Sequence, residues 1–263
     1  STPHLGTRRF STCDDWMRKI LAKDQYHHHL PDTCMPFVNR YDEVFELLQA
    51  NIGAHLALMN GRVVVNYRSM DVCFGAQMFG SGKTTLGENF IAALNDSNVA
   101  SHFETRLSDS NPDYVRLFHR EWALAKEATP LFVDIRALGE FREIPRRIAA
   151  CAGIDNASTL GFADTVMLAA AKQKTALFVH IDEIGNLPVS DLRKLRDGVV
   201  ATWQHMNSIS LAEHDMPRIY FFLSGKGVSL ASLSGGTSPV GSRWIILDML
   251  QTEHVSAIRQ HLQ

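Results

Sequence analysis

Five short apolar runs, spaced along the chain with helical segments between them, constrain the fold more than any other feature. They are "MDVCFGAQ" (70–77), "PLFVDIRAL" (130–138), "TALFVHIDEIG" (175–185), "PRIYFFLSGKG" (217–227) and "SRWIILDML" (242–250). None alternates apolar with polar residues, so each predicts a strand buried on both faces rather than one with a wet side. Strands of that kind, joined by helices, build a parallel sheet with helices on both faces, which is a three-layer α/β/α domain. The intervening helices are legible from their spacing and caps. "RYDEVFELLQANIGAHLALM" (40–59) carries Val44, Leu47, Leu48, Ile52 and Leu56 on one face, and Pro112 opens a helix over "PDYVRLFHREWALAKEA". Residues 96–112 are polar and predict a loop, whereas "GEFREIPRRIAACAG" predicts a helix ended by Gly153. "RVVVNYR" (62–68) predicts a short strand or edge, and the Gly- and Ser-rich stretch 224–242 a loop.

The strand "MDVCFGAQ" runs into Gln77-Met78-Phe79-Gly80-Ser81-Gly82-Lys83-Thr84, and the helix "KTTLGENFIAALN" (83–95) follows. Strand, glycine-rich loop, Lys-Thr and helix in that order form a phosphate-binding loop: backbone N–H groups converge on the anion and the helix N-terminus adds its positive end. Gly80, Ser81, Gly82, Lys83, Thr84 and Thr85 are therefore the nucleotide-binding candidates. Lys83 would reach the β- and γ-phosphates and the Thr84 hydroxyl would bind Mg²⁺. A Cβ at Gly80 or Gly82 would obstruct the backbone's approach to phosphate. Gln77 stands where the pattern has glycine, but that position shapes the turn, and the anion-facing groups begin at Gly80.

A metal-bound triphosphate also needs a carboxylate at the tip of a neighbouring strand, and hydrolysis needs a base that orients water. "ALFVHIDE" ends in both, Asp182 for Mg²⁺ and Glu183 for water, about one hundred residues after the loop. Glu183 and Lys83 are thus the catalytic candidates, and Thr84 and Asp182 the metal ligands.

"GSGKTTL" and "FVHIDEIG" together resemble the P-loop NTPases with an additional catalytic glutamate, the group that holds the AAA+ and STAND-type ATPases. The resemblance implies a P-loop NTPase fold with strand order 5-1-4-3-2 and a domain over 36–250. It also brings in "PFVNRYDEVFELL" (36–48), similar to the stretch that precedes the loop near adenine in STAND ATPases, with Arg40 and Glu43 at its charged positions. "FFLSGKG" is similar to the strand-4 sensor sequence, with Ser224 and Lys226 in the polar and basic places. Lysine there lacks the fork of an arginine. The chain is loosely similar, on the same motifs, to the NTPase domains of Crinkler-type and trypanosomatid retrotransposon hot spot proteins.

Composition excludes little and adds little. The net charge is −2 over 263 residues, so charge does not indicate a nucleic-acid surface, and no apolar run is long enough to span a bilayer. Cys13, Cys34, Cys73 and Cys151 show no CxxC spacing and read as reduced thiols of an intracellular protein, Cys73 as a small core residue. "LGTRRFST" has the composition of a transit-peptide tail, which leaves a mitochondrial or other organellar compartment open. Residues 1–35 predict a helix and loop extension, where His27, His28 and His29 are adjacent and diverge rather than chelate. Residues 251–263 predict the start of a further helical subdomain. Guanine-reading Asn-Lys-x-Asp and Thr-Lys-x-Asp tetrapeptides do not occur, which favours ATP. Arg136, Arg142, Arg146 and Arg147 suit a solvated face paired with Glu140 and Glu143, or an arginine supplied to a neighbouring subunit or a polyanion. Three readings stand: a Mg²⁺-dependent ATPase acting as motor or switch with protein partners or as a homo-oligomer, a catalytically idle nucleotide-binding subunit of a large assembly, and a P-loop kinase.

Overall fold

A computed structural model describes residues 40–59, 71–75, 82–136, 138, 140–155, 159–173, 176–208, 217–225 and 241–247. The extension over 1–35 with its histidines, the strand at 62–68, residues 77–81, Lys226 and the segment 251–263 lie outside them.

Five strands form one sheet: β1 (Asp71–Gly75), β2 (Thr129–Asp134), β3 (Ala176–Asp182), β4 (Arg218–Ser224) and β5 (Gly241–Trp244), in the order β2-β3-β4-β1-β5. Read from the other edge this is the expected 5-1-4-3-2, and all four pairings are parallel. Every residue of β3 and of β4 is buried, as continuous apolar runs require. The fold is therefore the three-layer α/β/α one expected. The edge strands β2 and β5 are not buried on both faces as expected: in β2 only Leu131 and Val133 are buried, and in β5 Arg243 is exposed, because an edge strand lacks a neighbour on one side.

Seven helices are described: α1 (Tyr41–Met59), α2 (Lys83–Leu94), α3 (Ser97–Leu107), α4 (Pro112–Lys126), α5 (Ile144–Cys151), α6 (Phe162–Gln173) and α7 (Val189–Ser208). Alternation along the strands divides them between the two faces. Val72 and Phe74, Leu131 and Val133, Val179 and Ile181, Phe221 and Leu223 point to one core shared with α5, α6 and α7. Phe178, Tyr220 and Phe222 point the other way. There Phe178 packs on Phe90 of α2 at 4.6 Å between ring centres, and the Tyr220 hydroxyl donates to Glu121 O of α4 at 3.2 Å.

The polar stretch 96–112 is not the loop its composition predicts, because it contains α3. Asp96 caps that helix by accepting from the N–H groups of Asn98 and Val99, and Val99, Phe103 and Leu107 bury a narrow apolar face. Three buried side chains at helical spacing outweigh the polar remainder. Elsewhere the local signals hold. Asn111 caps α4 with Pro112 at its first position, and Gly153 ends the α5 turn at φ +62. A 3₁₀ turn, Phe141–Glu143, precedes α5 where one continuous helix was expected.

Helix α1 does more than cover the sheet. β1 pairs with β4 at Phe74↔Leu223 and Gly75↔Ser224, at the C-terminal end of both strands. At the level of Phe221, Asn51 of α1 takes the place of a strand neighbour. Its Oδ1 accepts from Phe221 N at 2.7 Å and its Nδ2 donates to Phe221 O at 3.1 Å. His55 Nε2 and Trp203 Nε1 both lie 3.0 Å from Ile219 O, one turn further down. A leucine at 51 would leave a buried N–H and C=O unpaired, each worth about 1–3 kcal/mol. Asn51→Leu should therefore destabilise the fold by about 2–5 kcal/mol in urea melts.

Below that point a buried ion pair ties α4 to β4. Arg218 Nε and Nη2 donate to Glu121 Oε2 and Oε1 at 2.9 and 3.2 Å, with His55 alongside. Burial opposes ionisation of Glu121, but His55 and Arg218 outweigh it and hold the carboxyl at about 2. With the folded value below the ordinary 4.5, the stabilisation is complete above pH 4.5 and disappears as the pH falls toward 2. Glu121→Gln should lose about 3–5 kcal/mol at pH 7, since Arg218 is left buried without its counter-charge, and its stability should change less between pH 4.5 and 2 than that of the wild type. Denaturant melts across that range measure both.

Candidate nucleotide site

The C-terminal ends of β1, β3 and β4 and the N-terminus of α2 meet at one edge of the sheet, and all the described candidate residues lie there. α2 begins at Lys83 after Gly82, whose φ of +87 is a left-handed conformation suited to glycine. Glycine is thus needed at 82 for its backbone angle, while the nearest atom a Cβ would meet is Arg40 Nη2 at 4.0 Å. No acid occupies the first turn of α2 and no side chain caps it. Leu86 N is bonded to Gly82 O at 2.8 Å, so the N–H groups of Lys83, Thr84 and Thr85 precede the first helical bond and face outward along the axis. The positive end of the helix is therefore available to an anion.

Lys83 is buried beside β1, with its Cδ 3.5 Å from the point a Cβ on Gly75 would occupy. Burial lowers its pKa, while the Asp182 and Glu183 carboxylates oppose that shift. Arg40, which precedes α1, reaches the same end of α2. Its Nη2 lies 4.0 Å from the position of a Cβ on Gly82, and its Nη1 donates to Glu43 Oε1 at 2.8 Å. Sequence similarity alone suggested Arg40 and Glu43, and the fold places Arg40 at the glycine loop.

Asp182, the last residue of β3, joins three elements. The Thr84 hydroxyl of α2 donates to its Oδ2 at 2.6 Å, and the Ser224 hydroxyl at the end of β4 donates to its Oδ1 at 2.5 Å. Glu183 N donates to the same Oδ1 at 2.9 Å. Glu183 has φ +65, ψ +27, a left-handed conformation that costs a non-glycine residue about 1 kcal/mol. It turns the chain out of the strand into a 3₁₀ turn, Ile184–Asn186. Gly225 at the tip of β4 abuts this turn, and a Cβ there would sit 2.5 Å from Gly185 N and 2.9 Å from Ile184 N. Gly225→Ala should therefore displace the turn behind Glu183 and destabilise the fold by about 1–3 kcal/mol, measurable as a lower denaturant midpoint.

Several neighbours of this cluster had no motif to announce them. Asp134 ends β2 in register with Asp182, and Arg136 donates to it from Nε at 2.8 Å and from its backbone N at 2.9 Å. The hydrogen bonds to Asp134 raise the Arg136 pKa against its partial burial, and Glu183 and Asp182 add to the rise. His180 lies fully buried with Nε2 2.8 Å from Ser224 Oγ, and burial drives its pKa down to about 4 against the pull of Asp182 and Asp134. The signal for His180 was its step of two residues before Asp182 within β3, which puts the two on a shared face, whereas Arg136 lies in the turn after β2. Arg142 pairs with Glu140 on the surface at 2.5 Å, as expected of a solvated face.

The oxygens that meet at Asp182 suit a hard cation. Thr84 and Asp182 present hydroxyl and carboxylate oxygen within 2.6 Å of each other beside a helix N-terminus. Mg²⁺ is held in that way, by one or two protein oxygens with phosphate and water completing its shell. Among the described residues no group of three or more His, Cys, Asp or Glu side chains is arranged to hold a metal by itself. Nor is any helix among them long and apolar enough to cross a membrane, and Cys73 and Cys151 are free thiols, Cys73 in the core as expected.

No protein-family model matches the chain, and no curated protein matches it. Among solved structures it is similar to the ORC2 protein of Aeropyrum pernix in its ADPNP–ADP complexes, with a TM-score of 0.50 and 15% identity. The similarity covers 89% of this chain and 54% of that one, so the chain spans about half the length of the structure it matches. This likeness shows the fold: the chain folds as a P-loop NTPase does.

Proposed function

We propose that the chain is an ATPase domain of the AAA+/STAND type, which binds ATP with Mg²⁺ and hydrolyses it as motor or switch of a larger protein or complex. The observation that carries this reading is the contact between Thr84 and Asp182, at 2.6 Å, across the gap from α2 to β3. Ninety-eight residues apart in sequence, these are the two oxygens that the loop motif and the strand-tip acid require at one point. The ORC2 protein was solved with ADPNP and ADP, which agrees with adenine as the base.

ATP would lie with its phosphates at the N-terminus of α2. The N–H groups of Gly80, Ser81 and Gly82 and of the first helical turn would surround the β-phosphate, with Thr85 beside the α-phosphate. Arg40 would approach the adenosine side and Ser224 the γ-phosphate side, where the resemblance of "FFLSGKG" to the strand-4 sensor also assigns Lys226. Thr84 and Asp182 would hold Mg²⁺, which would supply positive charge to stabilise the triphosphate as it is cleaved. Lys83 balances the charge that develops on the β- and γ-oxygens as the bond to the γ-phosphorus breaks. Glu183 orients a water in line and takes its proton as the oxygen attacks phosphorus, so that ADP and phosphate leave. Supporting the role of Glu183, it has a left-handed backbone at the end of β3 and its charge is felt at both Lys83 and Arg136.

Glu183→Gln should bind ATP within about threefold of the wild type and lose about 10²–10⁴-fold in turnover. Titration of a fluorescent ATP analogue and single-turnover hydrolysis measure the two quantities. Wild-type turnover in the variant would remove Glu183 from the chemistry. Binding without hydrolysis by the wild type, with and without added protein partners, would instead favour an idle nucleotide-holding subunit.

A further inference from the structure

His180 interrupts an otherwise apolar strand two residues before Asp182, and nothing in a phosphate-binding loop or a strand-tip acid calls for it. Its ring is fully buried between Phe132 and Phe222, at 5.0 and 5.1 Å between ring centres. Apolar packing alone would be served as well by a third phenylalanine. The polar atoms say otherwise.

Nε2 lies 2.8 Å from Ser224 Oγ, and Ser224 Oγ donates to Asp182 Oδ1 at 2.5 Å. A hydroxyl has one proton. With that proton on the bond to Asp182, Ser224 presents only a lone pair to the ring, so Nε2 must be the protonated nitrogen. Nδ1 is then a bare acceptor, buried with no hydrogen-bond partner among the described residues. It faces α2 at Gly87, where a Cβ would stand 2.1 Å away. Glycine in a helix interior costs about 1 kcal/mol relative to alanine, and here its absent side chain is the space the imidazole fills. The ring is therefore wedged between the helix that carries Lys83 and Thr84 and the two strand ends that carry Asp182 and Ser224.

We propose that His180 is a positioning residue of the nucleotide site, whose Nε2–H fixes the Ser224 hydroxyl with its proton on Asp182 Oδ1, so that Oδ2 stays turned toward Thr84 and the metal. The inference rests on the reading of Thr84 and Asp182 as the Mg²⁺ ligands. Without the ring N–H the Ser224 hydroxyl is free to rotate, and Asp182 loses the donor that sets its orientation. Groups behind a metal ligand of this kind are worth about 10–100-fold in metal affinity.

Two measurements test the proposal on the intact chain. In the nucleotide-free protein, long-range ¹H–¹⁵N spectra should show His180 as the Nε2–H tautomer, with a proton shift that Ser224→Ala changes. A ring protonated at Nδ1 would overturn the hydrogen-bond chain without reference to nucleotide. Binding of a fluorescent ATP analogue, titrated with Mg²⁺, tests the role. His180→Phe keeps the ring shape and should raise the Mg²⁺ concentration at half-saturation about tenfold. It should leave binding of the analogue in EDTA and the melting temperature nearly unchanged. His180→Gln, which keeps an N–H donor at that reach, should recover most of the loss. Ser224→Ala cuts the same link from the other side, carries the test if His180→Phe does not fold, and should raise the Mg²⁺ requirement equally. Mg²⁺ dependence equal to wild type in these variants would sink the positioning role while the ATPase reading stood. A wild type that binds no nucleotide would remove both.

Discussion

The Asp182 carboxylate is the point on which the site is assembled. It accepts from Thr84 on α2, from Ser224 on β4 and from the backbone of Glu183, so one side chain ties the glycine-loop helix to the two central strands. A buried carboxylate must be matched by donors, and three of them here satisfy it. Those same donors fix where its oxygens point. On the proposed reading of Asp182 as a Mg²⁺ ligand, the geometry around the metal is in this way set beforehand, by the need to satisfy an acid at the end of a buried strand.

That assembly depends on three glycines. Gly82 supplies the left-handed angle from which α2 starts, Gly87 leaves room for the His180 ring, and Gly225 lets the tip of β4 touch the turn behind Glu183. Glu183 itself takes the left-handed conformation without being glycine. The surrounding contacts over-determine that angle: Glu183 N is bonded to Asp182, and the turn that follows packs on Gly225. Strain held in this way at the end of a strand is common where a side chain has a task to perform.

Farther from the site the molecule solves a different problem. β1 and β4 pair at their C-terminal ends but not at the level of Phe221, where Asn51 supplies the missing backbone partners. Glu121 and Arg218 then close the space between α4 and β4 with a buried charge pair. The C-terminal end of the sheet is held by strand pairing, and the opposite end of β4 by side chains from helices.

What the residues alone determined was whatever follows from local pattern. Continuous apolar runs marked β3 and β4 because a strand buried on both faces has no polar side, and "GSGKTT" after a strand marked the start of α2 at Lys83. Asp182 and Glu183 were legible for the same reason, as acids at a buried strand end. α3 was missed because its apolar face is only three side chains wide within a polar stretch. Tertiary structure alone decided which distant groups meet: Arg40 beside Gly82, Asn51 against the backbone of Phe221, and His180 between Gly87 and Ser224. These contacts join elements that lie far apart in sequence, and no periodicity encodes them. A polar residue on a buried face needs a partner, and the packed fold determines which one it finds.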